Sequence, residues 1–214
     1  MKTPEEYKKL SVREFTKAAG IYESGHAGVY ELCKKDYPHI LEEIRKEDFE
    51  TLLDAGCGTA PMLSLLTEEF PDKHYTGLDL TPEMIKQAKA KHLKNTEFYV
   101  GDCEHLPFPD NQFDIVINSQ SCHHYPNPQA FFDGVFRVLR PGGRLILRDM
   151  SVPKPLMWFV NGVEMPVINL FGHGDVRVYS IDEVRNFCRT AGLRPEKIRH
   201  QKGFRLHLLA RKPK

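Results

Sequence analysis

The sequence predicts an α/β fold with a mostly parallel sheet of seven strands, helices on both faces, an N-terminal helical cover and a C-terminal antiparallel strand pair. Three observations predict it. Short apolar runs alternate with amphipathic stretches between residues 50 and 149, a glycine turn follows the first run, and two apolar runs close the chain a few residues apart. Alternating elements favour parallel strands with right-handed crossovers, whereas a short connection favours an antiparallel pair.

The first 48 residues alternate charged and apolar side chains at helical spacing, which predicts the helical cover. Ser11 and Glu14 have the spacing of a capping box at a helix N-terminus. A second helix is expected to begin near Gly28 and to end before Pro38, because the residue before a proline is biased away from helical geometry.

The parallel part of the sheet is expected in residues 50–149. Thr51, Leu52 and Leu53 form a short buried strand, and Gly56 and Gly58 follow, so that the backbone can turn sharply and approach a ligand. Further strands are expected at 74–80, 97–100, 113–118 and 144–147, with helices at 62–70, 82–92 and 128–139 and a turn at 140–143.

Residues 150–179 break this rhythm with prolines and large apolar side chains. Three roles remain open for this segment: covering a substrate, plain packing, and contact with a second copy of the chain. Ser180 and Glu183 then predict a capped helix, followed by the antiparallel pair at 194–200 and 204–210. The single domain 1–214 is thus expected to comprise a cover (1–48), a core (50–149), an insertion (150–179) and a C-terminal helix and strand pair (180–214).

The net charge is +1, which argues against a surface built for DNA. The charges are uneven, because residues 185–214 hold ten Lys or Arg and one acid and so carry +9, while the preceding residues carry −8. A basic tail could bind RNA, but Lys and Arg also protect exposed sheet edges. No recognisable RNA-binding module accompanies the tail, which argues against an RNA partner.

The five cysteines are odd in number and show no CxxC spacing, which indicates free thiols in a reducing compartment. No apolar run approaches the ~20 residues of a membrane span, and the N-terminus lacks the apolar core of a signal peptide. A cytoplasmic protein without a membrane span is therefore expected.

Three acids end the first three expected strands: Asp54, Asp79 and Asp102. If these strands are neighbours, the acids line one edge of the sheet, where open α/β sheets bind their ligands. An acidic edge suits a cationic nucleoside better than a phosphate-bearing dinucleotide. Asp79 could accept hydrogen bonds from a ribose diol, and Asp102 from an adenine amino group.

Four segments in order resemble the motifs of class I methyltransferases that depend on S-adenosylmethionine: LLDAGCGTA, LDLTPEMIKQAKA, GDCEHLPFPDNQFDIVINSQSCHHY and VLRPGGRLILRDM. The nearest likeness is to the branch of the ubiquinone and menaquinone biosynthesis enzymes (methyltransferase type 11), over about residues 50–150. This resemblance implies a Rossmann-like sheet, S-adenosyl-L-methionine as cofactor with S-adenosyl-L-homocysteine as product, and in-line methyl transfer to an O, N or C atom of a small molecule.

The resemblance also implies which residues bind the cofactor. Those at the methionine end would be Asp54, Ala55, Gly56, Cys57, Gly58 and Ser119. Asp79 would hold the ribose and Leu80 flank the adenine, while Asp102 and Cys103 would meet the adenine edge. Tyr22 resembles a tyrosine of the N-terminal arm that closes over the cofactor.

A sulfonium is already an activated leaving group, so the protein mainly positions the substrates and excludes water. His123 and His124 follow the fourth strand and are the candidate catalytic residues, one of them as general base. Adjacent residues on a helix point apart, so at most one should serve. No metal is expected, because the pair has no third ligand at a usual spacing.

Other functions were weighed against this interpretation. A nicotinamide dehydrogenase would need a third glycine where Pro61 stands. An RNA methyltransferase that uses the basic tail and a protein that binds the cofactor without turnover remain alternatives. The NSQSC segment differs from the NPPY-like mark of enzymes that methylate exocyclic amines, and the apolar insertion suggests an acceptor with an apolar or aromatic part.

Overall fold

A computed structural model describes residues 2–24, 28–202 and 204–214. Seven strands form one sheet in the order β3-β2-β1-β4-β5-β7-β6. They are β1 (Thr51–Ala55), β2 (His74–Asp79), β3 (Thr96–Val100), β4 (Phe113–Ser119), β5 (Leu139–Met150), β6 (Arg194–Gln201) and β7 (Arg205–Arg211). The strands β1 to β5 pair in parallel, and β7 is antiparallel to both β5 and β6. The predicted fold class is therefore confirmed.

The order of the strands reverses at β1. Leu53 pairs with Thr76 of β2 on one side and with Val116 of β4 on the other. The chain first builds outward through β2 and β3 and then returns to the far side of β1, which leaves a crevice at the carboxyl ends of β1 and β4.

The helices are α1 (Pro4–Ala18), α2 (Gly28–Lys34), α3 (Tyr37–Ile44), α4 (Pro61–Glu69), α5 (Pro82–Ala90), α6 (Pro128–Val138), α7 (Lys154–Phe159), α8 (Met165–Leu170) and α9 (Ile181–Thr190). A proline begins α4, α5 and α6, where its missing N–H costs nothing. Helices α3, α4 and α5 pack on one face of the sheet, and α6 and α9 contribute to the core on the other.

The capping box predicted at Ser11 and Glu14 is wrong. Thr3 caps α1 together with Glu6, and Ser11 is buried inside the helix. The same Ser/Thr-x-x-Glu spacing occurs twice, and Pro4 at the first helical position favours the earlier start. Glu14 instead reaches the 150–179 segment, where it accepts a hydrogen bond from the backbone N–H of Gly174 at 2.9 Å.

Strand β5 is longer than expected because it already begins at Leu139 and includes the RPGG turn. Its pairing with β4 shifts register between Phe113 and Ile115, and Gly142 has φ +84°, so the extra residues form an irregularity at the strand entrance. In the 150–179 segment, a π-helical turn at Val160–Glu164 joins α7 to α8.

The five cysteines of the sequence are all buried and free, as predicted. Among the described residues, no helix is both long enough and apolar enough to cross a membrane.

Candidate active site

A cavity opens at the carboxyl ends of β1, β2 and β4, at the point where the strand order reverses. Its wall includes Asp54 near the end of β1, Gly56 directly after β1, Asp79 at the end of β2 and Ser119 at the end of β4. Gly56 has φ +83°, and a Cβ there would lie 2.3 Å from the Ser121 hydroxyl. Only glycine therefore fits this turn, both for its backbone conformation and for its contact across the cavity.

Two carboxyl groups of the wall, the buried Asp54 and the half-buried Asp79, have no cationic partner among the residues that the structure describes. No ion pair joins Asp54 or Asp79 to a Lys, Arg or His within the described ranges. Burial, and then the charge of Asp79, raises the pKa of Asp54 to about 8. Burial also raises the pKa of Asp79, although its oxygens accept hydrogen bonds from the amides of Gly58 at 2.9 Å and Thr81 at 2.8 Å.

The third acid, Asp102, is paired with a cation from the N-terminal cover. Lys8 of α1 places its Nζ 2.7 Å from Asp102 Oδ2 and also bonds the buried Glu104. Burial favours the neutral acid, but the bonds from Lys8 and from the Glu104 amide outweigh it and lower the pKa of Asp102. Asp102, the acid predicted to meet the adenine edge, therefore forms an ion pair with a lysine that the sequence did not single out.

The structure brings most of the remaining predicted cofactor residues to the same cavity. Its wall also includes Tyr22, Cys57, Gly58, Leu80 and Cys103. A Cβ on Gly58 would lie 4.0 Å from a ring carbon of Tyr22, so the tyrosine lies across the glycine turn. Ala55 is the exception, since it lies outside the wall and its carbonyl accepts a bond from Asn118 Nδ2 at 2.7 Å.

The two candidate catalytic histidines lie in a 3₁₀ turn, Cys122–His124, after β4. His124 lines the cavity, with its ring edge-on to Phe15 of α1 at 5.2 Å between centroids, whereas His123 lies behind the wall. The expectation that the two side chains point apart is wrong. Their ring centroids are 4.1 Å apart, because both rings approach Asp175.

Two carboxylates hold His123. Its Nδ1 lies 2.5 Å from Asp149 Oδ1 and its Nε2 lies 3.3 Å from Asp175 Oδ1. Burial disfavours the imidazolium, but the two carboxylates outweigh it and raise the pKa of His123 to about 10. Burial, followed by the charge of His123, lowers the pKa of His124.

Sequence reasoning missed Lys8, Asp149 and Asp175. Lys8 is one of several lysines in α1, and nothing in its spacing sets it apart. Asp149 does end the fifth strand, as the other three acids end theirs, so the same argument could have found it. Asp175 lies in the segment without periodicity, and its place beside the histidines has no signal in the sequence.

The sheet order, the glycine turn and the acids at the strand ends define a Rossmann-like methyltransferase fold with a site for S-adenosylmethionine. More particularly, residues 53–147 match the model of the family described as "Methyltransferase domain". The chain carries a class I S-adenosylmethionine-dependent methyltransferase domain, as the resemblance implied.

Two curated relatives extend this likeness. Over 100 residues the chain is 44% identical to the phthiotriol/phenolphthiotriol dimycocerosates methyltransferase of Mycobacterium leprae, covering 46% of this chain and 37% of that protein. Over 156 residues it is 35% identical to the 27-O-demethylrifamycin SV methyltransferase of Amycolatopsis mediterranei, covering 69% of this chain and 55% of that protein. The chain thus spans about a third to a half of the length of these relatives.

One solved structure shows the same fold with ligands bound. The 1,6-didemethyltoxoflavin-N1-methyltransferase of Burkholderia thailandensis, with 1,6-didemethyltoxoflavin and S-adenosylhomocysteine, superposes with a TM-score of 0.73. The alignment covers 100% of this chain and 92% of that one at 18% identity.

Proposed function

We propose that the protein transfers the methyl group of S-adenosylmethionine to a small molecule. The observation that carries the proposal is the pair of acids at the cavity, the buried Asp54 and the half-buried Asp79, which lack a cationic partner in the described chain. A ligand with a sulfonium and an ammonium group supplies the missing positive charge, and a ribose diol adds two hydrogen bonds to Asp79. Asp54 would face the methionine end of this cofactor.

The proposed reaction needs positioning more than it needs acid–base chemistry. An acceptor lone pair attacks the methyl carbon, the bond from that carbon to sulfur breaks with its electron pair staying on sulfur, and S-adenosylhomocysteine leaves as a thioether. An acceptor hydroxyl gives up its proton to a base in the same process. Tyr22 across the glycine turn and Phe15 beside His124 would enclose the reacting groups and exclude water. We propose that the His123–His124 pair acts on the acceptor, with His124 at the cavity wall.

The acceptor is proposed to have a large apolar part. The relatives named above act, as their names state, on phthiotriol and phenolphthiotriol dimycocerosates and on 27-O-demethylrifamycin SV. The 150–179 segment exposes large apolar side chains, among them Trp158 at 77% and Phe171 at 81% exposure. We propose that these side chains cover such an acceptor, with a dimer contact as the alternative.

A melting experiment tests the cofactor part of the proposal. The melting temperature is measured without ligand and with S-adenosylmethionine, S-adenosylhomocysteine or NADH. A ligand at a hundred times its dissociation constant adds about 2.7 kcal/mol of stability. We expect a shift with both adenosyl ligands, and a shift with NADH alone would refute the proposal.

A transfer experiment tests the reaction. Radiolabelled methyl from S-adenosylmethionine is offered to hydroxylated lipids, fatty acids and polyketides, and label in the extracted acceptor is counted. Cofactor binding without label in any acceptor would support the alternative of a binding protein without turnover. Shortening the segment Pro153 to Phe171 is expected to spare cofactor binding and to abolish turnover.

The RNA alternative rests on the basic C-terminal tail, and part of the positive charge of this tail is paired within the chain. Several positive charges of the C-terminal tail pair with acids of the chain itself: Lys197 bonds Glu43, and Arg211 bonds Glu47 at 2.6 Å and Glu196 at 2.8 Å. These side chains are engaged in holding the strand pair against the rest of the domain.

A further inference from the structure

The His123 ring has one nitrogen whose role Asp149 fixes. Asp149 is an acceptor at 2.5 Å from Nδ1, so Nδ1 carries a hydrogen. The other nitrogen, Nε2, faces Asp175 Oδ1 at 3.3 Å, a contact that either a proton on Nε2 or a metal ion in its place makes favourable.

A third atom lies beside the same oxygen. His124 Nδ1 is buried, has no hydrogen-bond partner among the residues described, and lies 3.7 Å from the same Asp175 oxygen. One nitrogen from each histidine and one oxygen of Asp175 lie within 4.8 Å of one another. A proton on His123 Nε2 satisfies two of these three atoms and leaves His124 Nδ1 without a partner.

The separations are close to those of ligands that share one metal ion. Ligand atoms about 2.1 Å from a shared ion lie roughly 3.0 to 3.5 Å apart in octahedral or tetrahedral geometry. The contacts of Asp175 with the two imidazoles, at 3.3 and 3.7 Å, need only a small contraction to match. Asp149 contacts the other nitrogen of His123, Nδ1. In many metalloproteins a carboxylate in this position orients the metal-binding histidine.

We propose that His123 Nε2, His124 Nδ1 and Asp175 bind one divalent transition-metal ion, and that Asp149 orients His123 as a ligand. Two imidazoles and one carboxylate favour Zn²⁺, Fe²⁺ or Co²⁺ over Mg²⁺ or Ca²⁺, which prefer oxygen ligands. The expectation of no metal had rested on the lack of a third ligand near the pair in the sequence. Asp175 is that third ligand, and only folding brings it there.

The location gives the ion a place in the proposed reaction. His124 also lines the cavity, so the ion would lie at its wall, where an oxygen of the acceptor could become a further ligand. A bound hydroxyl loses its proton more easily because the ion stabilises the oxyanion. Binding of the ion itself does not depend on methyl transfer, and it can be tested even if that proposal fails.

The test measures metal binding to the full chain without turnover. Protein stripped with a chelator is dialysed against Zn²⁺, and bound zinc is measured by mass spectrometry, while Co²⁺ binding is followed by its visible absorption. We expect one ion per chain. His124→Gln is the main variant, because His124 Nδ1 makes no hydrogen bond that the substitution would break, and it should weaken binding at least a hundredfold.

Two further variants separate a metal site from a structural ion pair. Asp149→Asn should weaken binding by roughly ten to a hundredfold, as expected for a group that only orients a ligand. His173→Gln is the matched control, since this histidine lies close to Asp175 in the chain but bonds Glu14 at 2.6 Å, and it should bind zinc as the wild type does.

Two results would overturn the proposal. One is the absence of stoichiometric zinc or cobalt binding to the folded wild-type chain, judged by its unchanged circular dichroism after stripping. The other is binding that His124→Gln leaves intact and His105→Gln removes, because this would place the ion at the group of Asp102, Glu104 and His105.

Discussion

Two groups of carboxylates lie near the carboxyl edge of the sheet, and they differ in their countercharge. Asp54 and Asp79 face the cavity without a cation among the described side chains, and Asp79 accepts hydrogen bonds from two backbone amides. Asp149 and Asp175 enclose the imidazole of His123. The pKa of Asp54 is raised to about 8, whereas that of Asp175 is lowered to about 2.

This difference indicates which of the two groups of carboxylates needs a ligand to supply positive charge. Burial destabilises the ionised form of an acid that has no cation beside it. The part of the site around Asp54 therefore favours a cationic ligand. On the Asp175 side the chain supplies its own positive charge through His123, or binds an ion in its place. We therefore propose that the first group binds the cofactor and that the second acts on the acceptor.

The largest effect is expected from the acid proposed to hold the ribose. Asp79→Ala should weaken S-adenosylmethionine binding by roughly ten to a hundredfold, because one or two charge-assisted hydrogen bonds are lost. Calorimetry measures the affinity, and Glu83→Ala is the control, since Glu83 is a surface acid of the adjacent helix α5. Equal affinities for the two variants would remove Asp79 from the cofactor site.

The protonation of Asp54 gives a second test. With a pKa of about 8 in the free protein, Asp54 is mostly neutral at pH 7, and it must lose its proton to pair with the sulfonium or ammonium group. Affinity should rise with pH from 6 to 8, approaching about tenfold per unit, and level off above. Calorimetry in buffers of different ionisation enthalpy should detect proton release, which Asp54→Asn should abolish.

Release of no proton at pH 7 would mean that Asp54 is already ionised in the free protein. The contrast between the two groups of acids would then disappear, and the argument that the cavity is built for a cation would have to rest on Asp79 alone.

Lys8 of the N-terminal cover places a cation beside the third acid, Asp102. Removing this cation tests how much the pairing contributes to stability. Lys8→Met should lower the free energy of unfolding by about 1 kcal/mol, since Glu104 loses its charged partner while water partly screens the pair. Denaturant unfolding measures this, with the exposed Lys9→Met as control. Equal stability of the two variants would show that the cover is held by its apolar contacts.

The smallest effect on stability is expected in the 150–179 segment. Trp158→Ser should change the free energy of unfolding by less than about 0.5 kcal/mol, because the side chain is 77% exposed. Cofactor affinity should also stay unchanged, whereas KM for the acceptor should rise. An unchanged KM would favour the alternative that Trp158 serves a dimer contact, which a sedimentation experiment would then show.

The part of the site around Gly56, Asp54 and Asp79 could be predicted from the sequence because its signals are local. Glycine at position 56 is required by a backbone turn with φ +83°, and the acids follow directly from the strands that they end. Parallel strands have their carboxyl ends at one edge, so Asp54 and Asp79 had to meet once β1 and β2 were recognised as neighbours. The predictions of where β5 begins and of which residues cap the first helix were wrong, but this inference does not depend on them.

The sequence by itself determined the sheet, the point where its strand order reverses and the acids at the strand ends. These features depend on periodicity and turn chemistry, which act over a few residues. Only the tertiary structure decided that Lys8 reaches Asp102 and that His123 lies between Asp149 and Asp175. These contacts join segments far apart in the chain and without periodic pattern. They depend on the packing of the cover and of the 150–179 segment onto the sheet, which no local signal encodes.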